Sequence, residues 1–130
     1  MSTLWAFPGQ GAQQPGMLHA LPEAPVVQAC IEQASAALNE DVRRLDSAEA
    51  LQNTRAVQLC LLIAGVAAAR LLSERGHRPD YVAGLSIGAY AASVVAGSLE
   101  FADAVRLVAL RGELMPVSYT HLTLPTKRIV

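Results

Sequence analysis

The chain has 130 residues, of which 52% are hydrophobic and 16% charged, and its formal net charge is −1. This composition excludes a disordered chain and indicates one domain with a buried core. A net charge so close to zero also argues against a nucleic-acid-binding protein.

The first half of the chain predicts a strand followed by two helices. Leu4 to Phe7 is a short apolar run that ends at Pro8-Gly9, which predicts a buried strand entering a loop. Apolar residues at helical spacing predict a helix from Val26 to Leu38. A second helix is predicted from a cap at Asn53-Thr54 to about Glu74, and we expect it to be buried because it is apolar nearly all round.

The same region carries no signal for a membrane or for a metal site. The longest apolar run, Leu59 to Ala69, is well short of the about 20 residues that a membrane span needs. The N-terminus lacks the basic flank of a signal peptide. Cys30 and Cys60 stand alone in apolar stretches, which predicts free, buried thiols in a reducing cytoplasm. No group of Cys and His has zinc-ligand spacing, so we expect no metal.

The second half predicts another strand, a tight turn and two helices. The strand is Tyr81 to Ala83, the turn is Gly84 to Gly88, and a helix of small residues follows from Ala89 to Ala96. A last amphipathic helix is predicted from Phe101 to Met115. Strands that alternate with helices predict an α/β fold, with a parallel sheet and flanking helices.

The composition changes after Met115. The segment 116–130, PVSYTHLTLPTKRIV, has neither helical periodicity nor alternation, and it begins with a proline that interrupts the preceding helix. We therefore expect a domain over residues 1–115 and a non-native or disordered tail over residues 116–130. A native, poorly ordered C-terminus is the alternative.

Ser86 lies at the centre of the pattern Gly84-x-Ser86-x-Gly88, between a predicted strand and a predicted helix. This is the pattern of a nucleophile elbow, in which glycines remove the collisions that a sharp turn would cause. Such a turn places the serine hydroxyl at the carboxyl end of the sheet and directs the Ile87 N–H toward the position of an oxyanion. A tight structural turn with an ordinary serine is the alternative.

A second motif, Phe7-Pro8-Gly9-Gln10-Gly11-Ala12-Gln13, follows the first strand. Its glycines, Gly9 and Gly11, allow backbone N–H groups to approach a ligand closely. The motif matches neither of the glycine patterns that bind nucleotides, so a nucleotide loop is not expected. A plain surface turn remains the alternative.

Arg111 falls inside the apolar arc of the last predicted helix, between Leu107 and Ala104. The charged residues of the opposite face are Asp103, Arg106 and Glu113. An arginine on a buried face needs an anionic partner, and its planar fork suits a carboxylate. The pattern leaves two partners open, namely a substrate carboxylate and an internal acid such as Glu113.

FPGQGAQ and GLSIGAY together resemble the malonyl-CoA:acyl-carrier-protein transacylase family, and the resemblance covers Leu4 to Met115. It implies the N-terminal part of an α/β-hydrolase-like acyltransferase domain in the cytoplasm. Ser86 would be the acyl-accepting nucleophile, the N–H groups of Gln10 and Ile87 the oxyanion hole, and Arg111 the partner of the malonyl carboxylate. The implied reaction moves malonyl from malonyl-CoA to a phosphopantetheine-type thiol on an acyl carrier protein, without a bound cofactor.

Three positions depart from the family pattern. Leu85 stands where most members have His, Ala89 where they have Glu, and Thr54-Arg55-Ala56 where T-Q-P is common. The GLSIGAY form resembles one branch, the malonate decarboxylase epsilon subunit. That branch implies other decarboxylase subunits as partners and, as acceptor, a small carrier subunit with a phosphoribosyl-dephospho-CoA group. A malonyl transacylase of fatty acid biosynthesis, a serine esterase of the α/β-hydrolase type and a non-catalytic carrier-docking module are the alternatives.

The sequence supplies no residue that we assign as the general base. His19 and His77 lie in predicted loops and are expected to face solvent, and His121 lies in the predicted tail. The resemblance implies a base beyond the end of this chain. We therefore expect little turnover, and marginal stability because the first strand and the Leu59–Ala69 helix would lack partners.

Overall fold

The described part of the chain forms a two-stranded parallel sheet with flanking helices. The computed structural model describes residues 1–114, so the predicted tail and His121 lie outside the described residues. The strands are β1 (Leu4–Phe7) and β2 (Tyr81–Gly84). The helices are α1 (Pro25–Leu38), α2 (Thr54–Glu74), α3 (Gly88–Val95) and α4 (Phe101–Leu114). The predicted α/β fold with a parallel sheet is confirmed.

The pairing of β1 with β2 brings together two segments that are far apart in the sequence. Leu4 pairs with Tyr81 and Phe7 pairs with Gly84, in parallel register. Because the carboxyl ends of parallel strands lie at the same edge of a sheet, the loop after Phe7 and the turn after Gly84 leave from one edge. The fold therefore places both sequence motifs side by side.

The prediction that β1 is a buried strand is wrong. Leu4 is 56% exposed, whereas Trp5 and Phe7 are half-buried. Side chains alternate between the two faces of a strand, and one face of β1 carries Phe7 against the position of Gly65 in α2. The other face lies open among the described residues, so only alternate positions of β1 are covered.

Helix α2 is the centre of the core, as its apolar sequence predicted. Asn53 caps it, with its side-chain Oδ1 accepting a hydrogen bond of 3.3 Å from the Ala56 N–H. Three other helices pack against it, and its fully buried residues include Leu59, Cys60, Leu62, Ile63 and Val66. The expectation that this helix lacks covering partners is therefore wrong within residues 1–114.

Helix α2 as a whole is long enough for a membrane span, although its longest uninterrupted apolar run is not. With 21 residues and a mean hydropathy of 1.9 over its most apolar window, it is long and apolar enough to cross a membrane. However, 67% of that window is buried inside the domain, as is usual for the core helix of a globular fold.

Two short 3-10 helices that the sequence did not predict connect α1 to α2. They span Val42–Asp46 and Ala50–Gln52. Asn39 is the C-cap of helix α1, and its left-handed backbone (φ 54°) turns the chain toward these 3-10 helices. The first of these 3-10 helices contains the buried Asp46, which is hydrogen-bonded to the loop that follows the first motif.

Candidate active site

Ser86 has the backbone conformation of a sharp strand-to-helix turn. It lies between the end of β2 at Gly84 and the start of α3 at Gly88, and its φ is +56°. This left-handed conformation is uncommon for a residue with a side chain and costs about 1–3 kcal/mol. Because such strain is concentrated at functional positions, the backbone supports a special role for this exposed serine.

The two glycines of the Ser86 motif are required by close approaches of the backbone. A Cβ on Gly84 would lie 2.2 Å from the carbonyl carbon and oxygen of Gly88. A Cβ on Gly88 would lie 2.3 Å from the carbonyl oxygen of Phe7. The steric reason for the predicted Gly-x-Ser-x-Gly spacing is therefore present in the structure.

The loop of the first motif contacts the Ser86 turn directly. A Cβ on Gly9 would lie 3.1 Å from the Leu85 carbonyl oxygen, so the loop has little room for a side chain there. Gly11 has a φ of +115°, and its N–H donates a 2.7 Å hydrogen bond to the Gln13 Oε1. The structure thus brings the FPGQGAQ loop to the Ser86 turn, as the oxyanion hole implied by the family resemblance requires.

The two predicted oxyanion-hole residues lie in these adjoining segments. Among residues 1–114, neither the Gln10 N–H nor the Ile87 N–H donates a hydrogen bond to a protein acceptor. The side chain of Ile87 is buried, which fixes the start of α3, while Gln10 is exposed. Both N–H groups are therefore available to an incoming oxygen, and their role as an oxyanion hole stays a prediction.

Arg111 reaches the serine from the last turn of α4. Its Nη2 donates a hydrogen bond of 3.2 Å to the Ser86 Oγ. Its Nη1 is buried and has no partner among the described residues. A buried unpaired N–H group of a guanidinium is costly, and an anionic ligand would satisfy it. The structure therefore joins two residues that sequence analysis had singled out separately.

The ion pairs of α4 bear on the question of the Arg111 partner. Glu113, the internal acid that the sequence left open, lies 3.6 Å from the Nε of Arg55 instead. Within the described residues, Arg111 makes no ion pair, whereas Arg106 on the same helix pairs with Asp103 at 3.2 Å. An internal salt bridge to Glu113 is therefore excluded.

One detail of the predicted helix face needs correction. Leu107 was assigned to the buried arc beside Arg111, but it is 46% exposed, and Arg111 itself is half-buried. The buried line of α4 runs through Ala104, Val105 and Val108. Arg111 lies at the border of this line, and its Nη2 reaches the Ser86 Oγ from there.

Gln58 and Gly112 are residues to which sequence analysis gave no role. A Cβ on Gly112 would lie 2.5 Å from the Cα of Arg55, so this glycine allows the end of α4 to pack closely on the start of α2. Gln58 follows one turn later on α2, is 1% exposed, and its Oε1 has no partner among residues 1–114. A glutamine inside a helix that is apolar all round was the signal that could have identified it.

Asp46 is hydrogen-bonded to residues 16–19, which follow the FPGQGAQ motif. Its buried carboxylate Oδ2 accepts hydrogen bonds from the N–H groups of Leu18 (3.0 Å) and His19 (3.2 Å), and lies 2.7 Å from the His19 Nδ1. The Gly16 N–H donates to the Asp46 carbonyl oxygen at 2.8 Å. His19 is thus largely exposed, as predicted, and its described partner is Asp46 rather than Ser86.

The two cysteines are free and buried, as predicted. Burial raises the pKa of Cys60 to about 12, and the negative charge of Asp46 adds to this effect. Burial likewise raises the pKa of Cys30 to about 11, against an opposing effect of Arg70. Both thiols therefore stay protonated at neutral pH, so neither cysteine is a candidate nucleophile.

Comparison with known proteins places this site in a family. Residues 4–120 match the family described as acyl transferase domain. The chain belongs to the acyl transferase domain family. It is 44% identical over 116 residues to the malonyl CoA-acyl carrier protein transacylase of Escherichia coli K12, which covers 85% of this chain and 38% of that relative.

Solved structures agree with this acyl transferase assignment. The structure of MCAT from Streptococcus pneumoniae superposes with a TM-score of 0.82 at 46% identity, over 88% of this chain and 38% of that one. A second structure is PlMCAT:AntF, a type II PKS acyl-carrier protein in complex with its malonyl-transacylase. It gives a TM-score of 0.80 at 41% identity and covers 88% of this chain and 38% of that one. The chain thus spans less than half the length of these relatives.

Proposed function

We propose that this chain belongs to an enzyme that moves a malonyl group from malonyl-CoA to the thiol of an acyl carrier protein, with Ser86 as the acyl-accepting nucleophile. The observation that carries the proposal is the 3.2 Å hydrogen bond from Arg111 Nη2 to the Ser86 Oγ. A guanidinium without a described carboxylate partner beside a candidate nucleophile suits an acyl group that ends in a carboxylate.

The proposed reaction has two steps. The Ser86 oxygen attacks the thioester carbonyl and the bond from carbon to sulfur breaks. CoA leaves as the thiol, and the acyl group stays on the serine as an ester. The sulfur of the carrier thiol then attacks the ester carbonyl, and the bond from the acyl carbon to the Ser86 oxygen breaks. The proton lost by the thiol restores the serine hydroxyl, and the acyl group leaves on the carrier as a thioester. The N–H groups of Gln10 and Ile87 stabilise the oxyanion in both steps, helped by the positive end of the α3 dipole. The carboxylate of malonyl lies on Arg111 throughout.

The proton of Ser86 must be removed by a base that the described contacts do not include. Arg111 is the donor in its bond to Ser86, so the serine hydroxyl proton is not used in that bond. No histidine among residues 1–114 is hydrogen-bonded to Ser86. Experiments on this chain therefore need an external base such as imidazole.

The acceptor is the point on which the two transacylase hypotheses differ. The relatives are named malonyl CoA-acyl carrier protein transacylase, and one solved relative is a complex with an acyl-carrier protein. These names favour an acyl carrier protein as the acceptor, as in the malonyl transacylase alternative that sequence analysis gave, over the malonate decarboxylase carrier. Leu85, which is 71% exposed beside Ser86, and Ala89 are the observations that keep the decarboxylase branch as the second candidate.

A single-turnover acylation assay tests the proposal. The chain is mixed with malonyl-CoA and imidazole, and mass spectrometry of the intact protein and its peptides locates the acyl group. We expect one malonyl group on Ser86 and none on a Ser86→Ala variant. Labelling of the Ser86→Ala variant to the same extent would contradict the assignment of the nucleophile.

The role of Arg111 separates a transacylase from a serine esterase. Replacing Arg111 by Ala removes charge-assisted hydrogen bonds to the malonyl carboxylate, so the preference for malonyl-CoA over acetyl-CoA should fall by about tenfold or more. Arg106→Ala is the matched control, because Arg106 lies on the same helix and pairs with Asp103. An esterase would show no change of preference in either variant.

The acceptor is tested with the malonylated chain. An acyl carrier protein with a phosphopantetheine thiol and a decarboxylase carrier with a phosphoribosyl-dephospho-CoA thiol are offered separately. Faster loss of malonyl from Ser86 to the first supports the proposal. Faster loss to the second would establish the decarboxylase branch instead.

A further inference from the structure

The guanidinium of Arg111 has an aromatic neighbour that the proposed reaction does not use. Its Cζ lies 5.6 Å from the centroid of the Tyr90 ring, which is within the range of a cation–π contact. Together with the hydrogen bond to Ser86, this gives Arg111 two neighbours that restrict its orientation. No carboxylate among residues 1–114 does so.

Tyr90 is well placed to restrict Arg111. It lies in the first turn of α3, and its N–H donates a 3.1 Å hydrogen bond to the Ile87 carbonyl oxygen. Its ring lies beside the same Arg111 guanidinium that donates to the Ser86 Oγ, so Tyr90 and Ser86 meet Arg111 at the same end of α3. The ring is half-buried and packs against the hydrophobic core, so it is a fixed surface.

Arg111 needs such a surface more than Arg55 and Arg106 do. Arg55 is held by the carboxylates of Glu40 and Glu113, and Arg106 by that of Asp103. Without a partner of this kind, a long side chain samples many rotamers, and a carboxylate that binds it must first order it. A ring beside the guanidinium reduces this cost before the acyl group arrives.

We propose that Tyr90 is a positioning residue that holds the Arg111 guanidinium toward the acyl group on Ser86, and that it thereby sets the preference for acyl groups with a free carboxylate. The inference rests on the proposed function. The Tyr90 side chain takes no part in the bond-making steps or in the oxyanion hole proposed above. Its effect on the reaction passes entirely through Arg111.

The experiment measures Ser86 acylation by malonyl-CoA and by acetyl-CoA in Tyr90 variants. In Tyr90→Leu the ratio of malonyl to acetyl labelling should fall between about threefold and about thirtyfold, the range of a cation–π contact. The acetyl rate should change much less than the malonyl rate, because acetyl has no carboxylate that could bind Arg111. Tyr90→Phe keeps the ring and should keep the ratio. Tyr81→Leu is the matched control, since Tyr81 is an exposed tyrosine at the opposite end of β2.

Three results would overturn the inference. One is an unchanged ratio in Tyr90→Leu, and another is an equal loss for both thioesters, which indicates a structural role. The third is a loss in Tyr90→Phe as large as in Tyr90→Leu, which would assign the effect to the hydroxyl. A double variant provides a further check, since Tyr90→Leu should have no additional effect on the ratio once Arg111 is Ala.

A spectroscopic measurement keeps the inference testable if the chain takes no acyl group or if Tyr90→Leu does not fold. Failure of the unsubstituted chain to be malonylated counts against the proposed function alone. The Arg111 Nε–H NMR signal, shifted by the ring current, should keep its position in Tyr90→Phe and move in Tyr90→Met. If it does not move in a folded Tyr90→Met variant, the contact with the ring is absent and the inference is wrong.

Discussion

Replacing Gly88 by Ala tests the contact that joins the two halves of the candidate site. The added Cβ would lie 2.3 Å from the Phe7 carbonyl oxygen and 3.0 Å from that of Pro8. The first of these distances is roughly 1 Å shorter than an ordinary non-bonded contact. Both neighbours are backbone atoms, so neither can swing away, and the Ser86 turn must separate from the end of β1.

The expected loss of stability follows from two opposing effects. Overpacking against a backbone that cannot move costs about 3 kcal/mol, at the upper end of the usual range. Alanine gains at most about 1 kcal/mol over glycine in helix propensity, since that value holds for a helix interior and Gly88 is the first residue of α3. The net loss should be about 2 kcal/mol, which lowers the urea midpoint by about 1 M for a slope of about 2 kcal/mol per molar.

The assay is urea unfolding of the chain, followed by far-UV circular dichroism, with Gly97→Ala as the control. Alanine is also strained at Gly97, because the φ there is +82°, but apart from the two chain neighbours no atom of residues 1–114 lies within 4 Å of its Cβ position. That variant should lose only about 1 kcal/mol through backbone conformation. If Gly88→Ala is no less stable than Gly97→Ala, the close approach of the two motifs is not present in solution.

Three further predictions concern Ser86, Asp46 and the cysteines. Ser86→Gly should be more stable than Ser86→Ala by about 1 kcal/mol in urea unfolding, since glycine accepts the left-handed backbone. Neither variant should be acylated. Equal stabilities of the two variants would refute the strained turn. Asp46→Asn should destabilise the chain by about 1.5–3 kcal/mol, because hydrogen bonds to a charged carboxylate are lost. Protease cleavage within residues 9–21 should then increase. Unchanged cleavage would show that other contacts hold this loop. Because burial raises the pKa of Cys60 to about 12 and of Cys30 to about 11, the unfolded chain releases these thiol protons at lower pH than the folded chain. Stability should therefore be independent of these groups below about pH 8 and fall as the pH rises through about 9 and beyond, and a Cys30→Ala, Cys60→Ala variant that shows the same fall would contradict this.

The sequence predicted those features of the site that depend on local geometry. The spacing around Ser86 identified a turn in which glycines avoid backbone collisions, and the structure contains those collisions at Gly84 and Gly88. The helix bounds were also close, because periodicity and caps such as Asn53 are local signals. Arg111 was found because a charge interrupts an otherwise apolar arc.

Features that depend on distant partners were not predicted. The role of Asp46 requires the knowledge that it meets Leu18 and His19, which lie far from it in the sequence. The exposure of Leu4 depends on which faces of β1 are covered, and an apolar strand sequence does not specify this. Glu113 was ruled out as the Arg111 partner only when the structure assigned it to Arg55, and the substrate carboxylate as partner stays a prediction.

The register between β1 and β2 has a consequence for how this domain can change in length. The two halves of the site are aligned by strand pairing and by backbone contact, and not by the chain that connects them. An insertion in the exposed turn at 47–49 would lengthen that connection without moving either half. Related domains can therefore differ in the spacing between their two motifs, while the distance between the motifs in space remains the same.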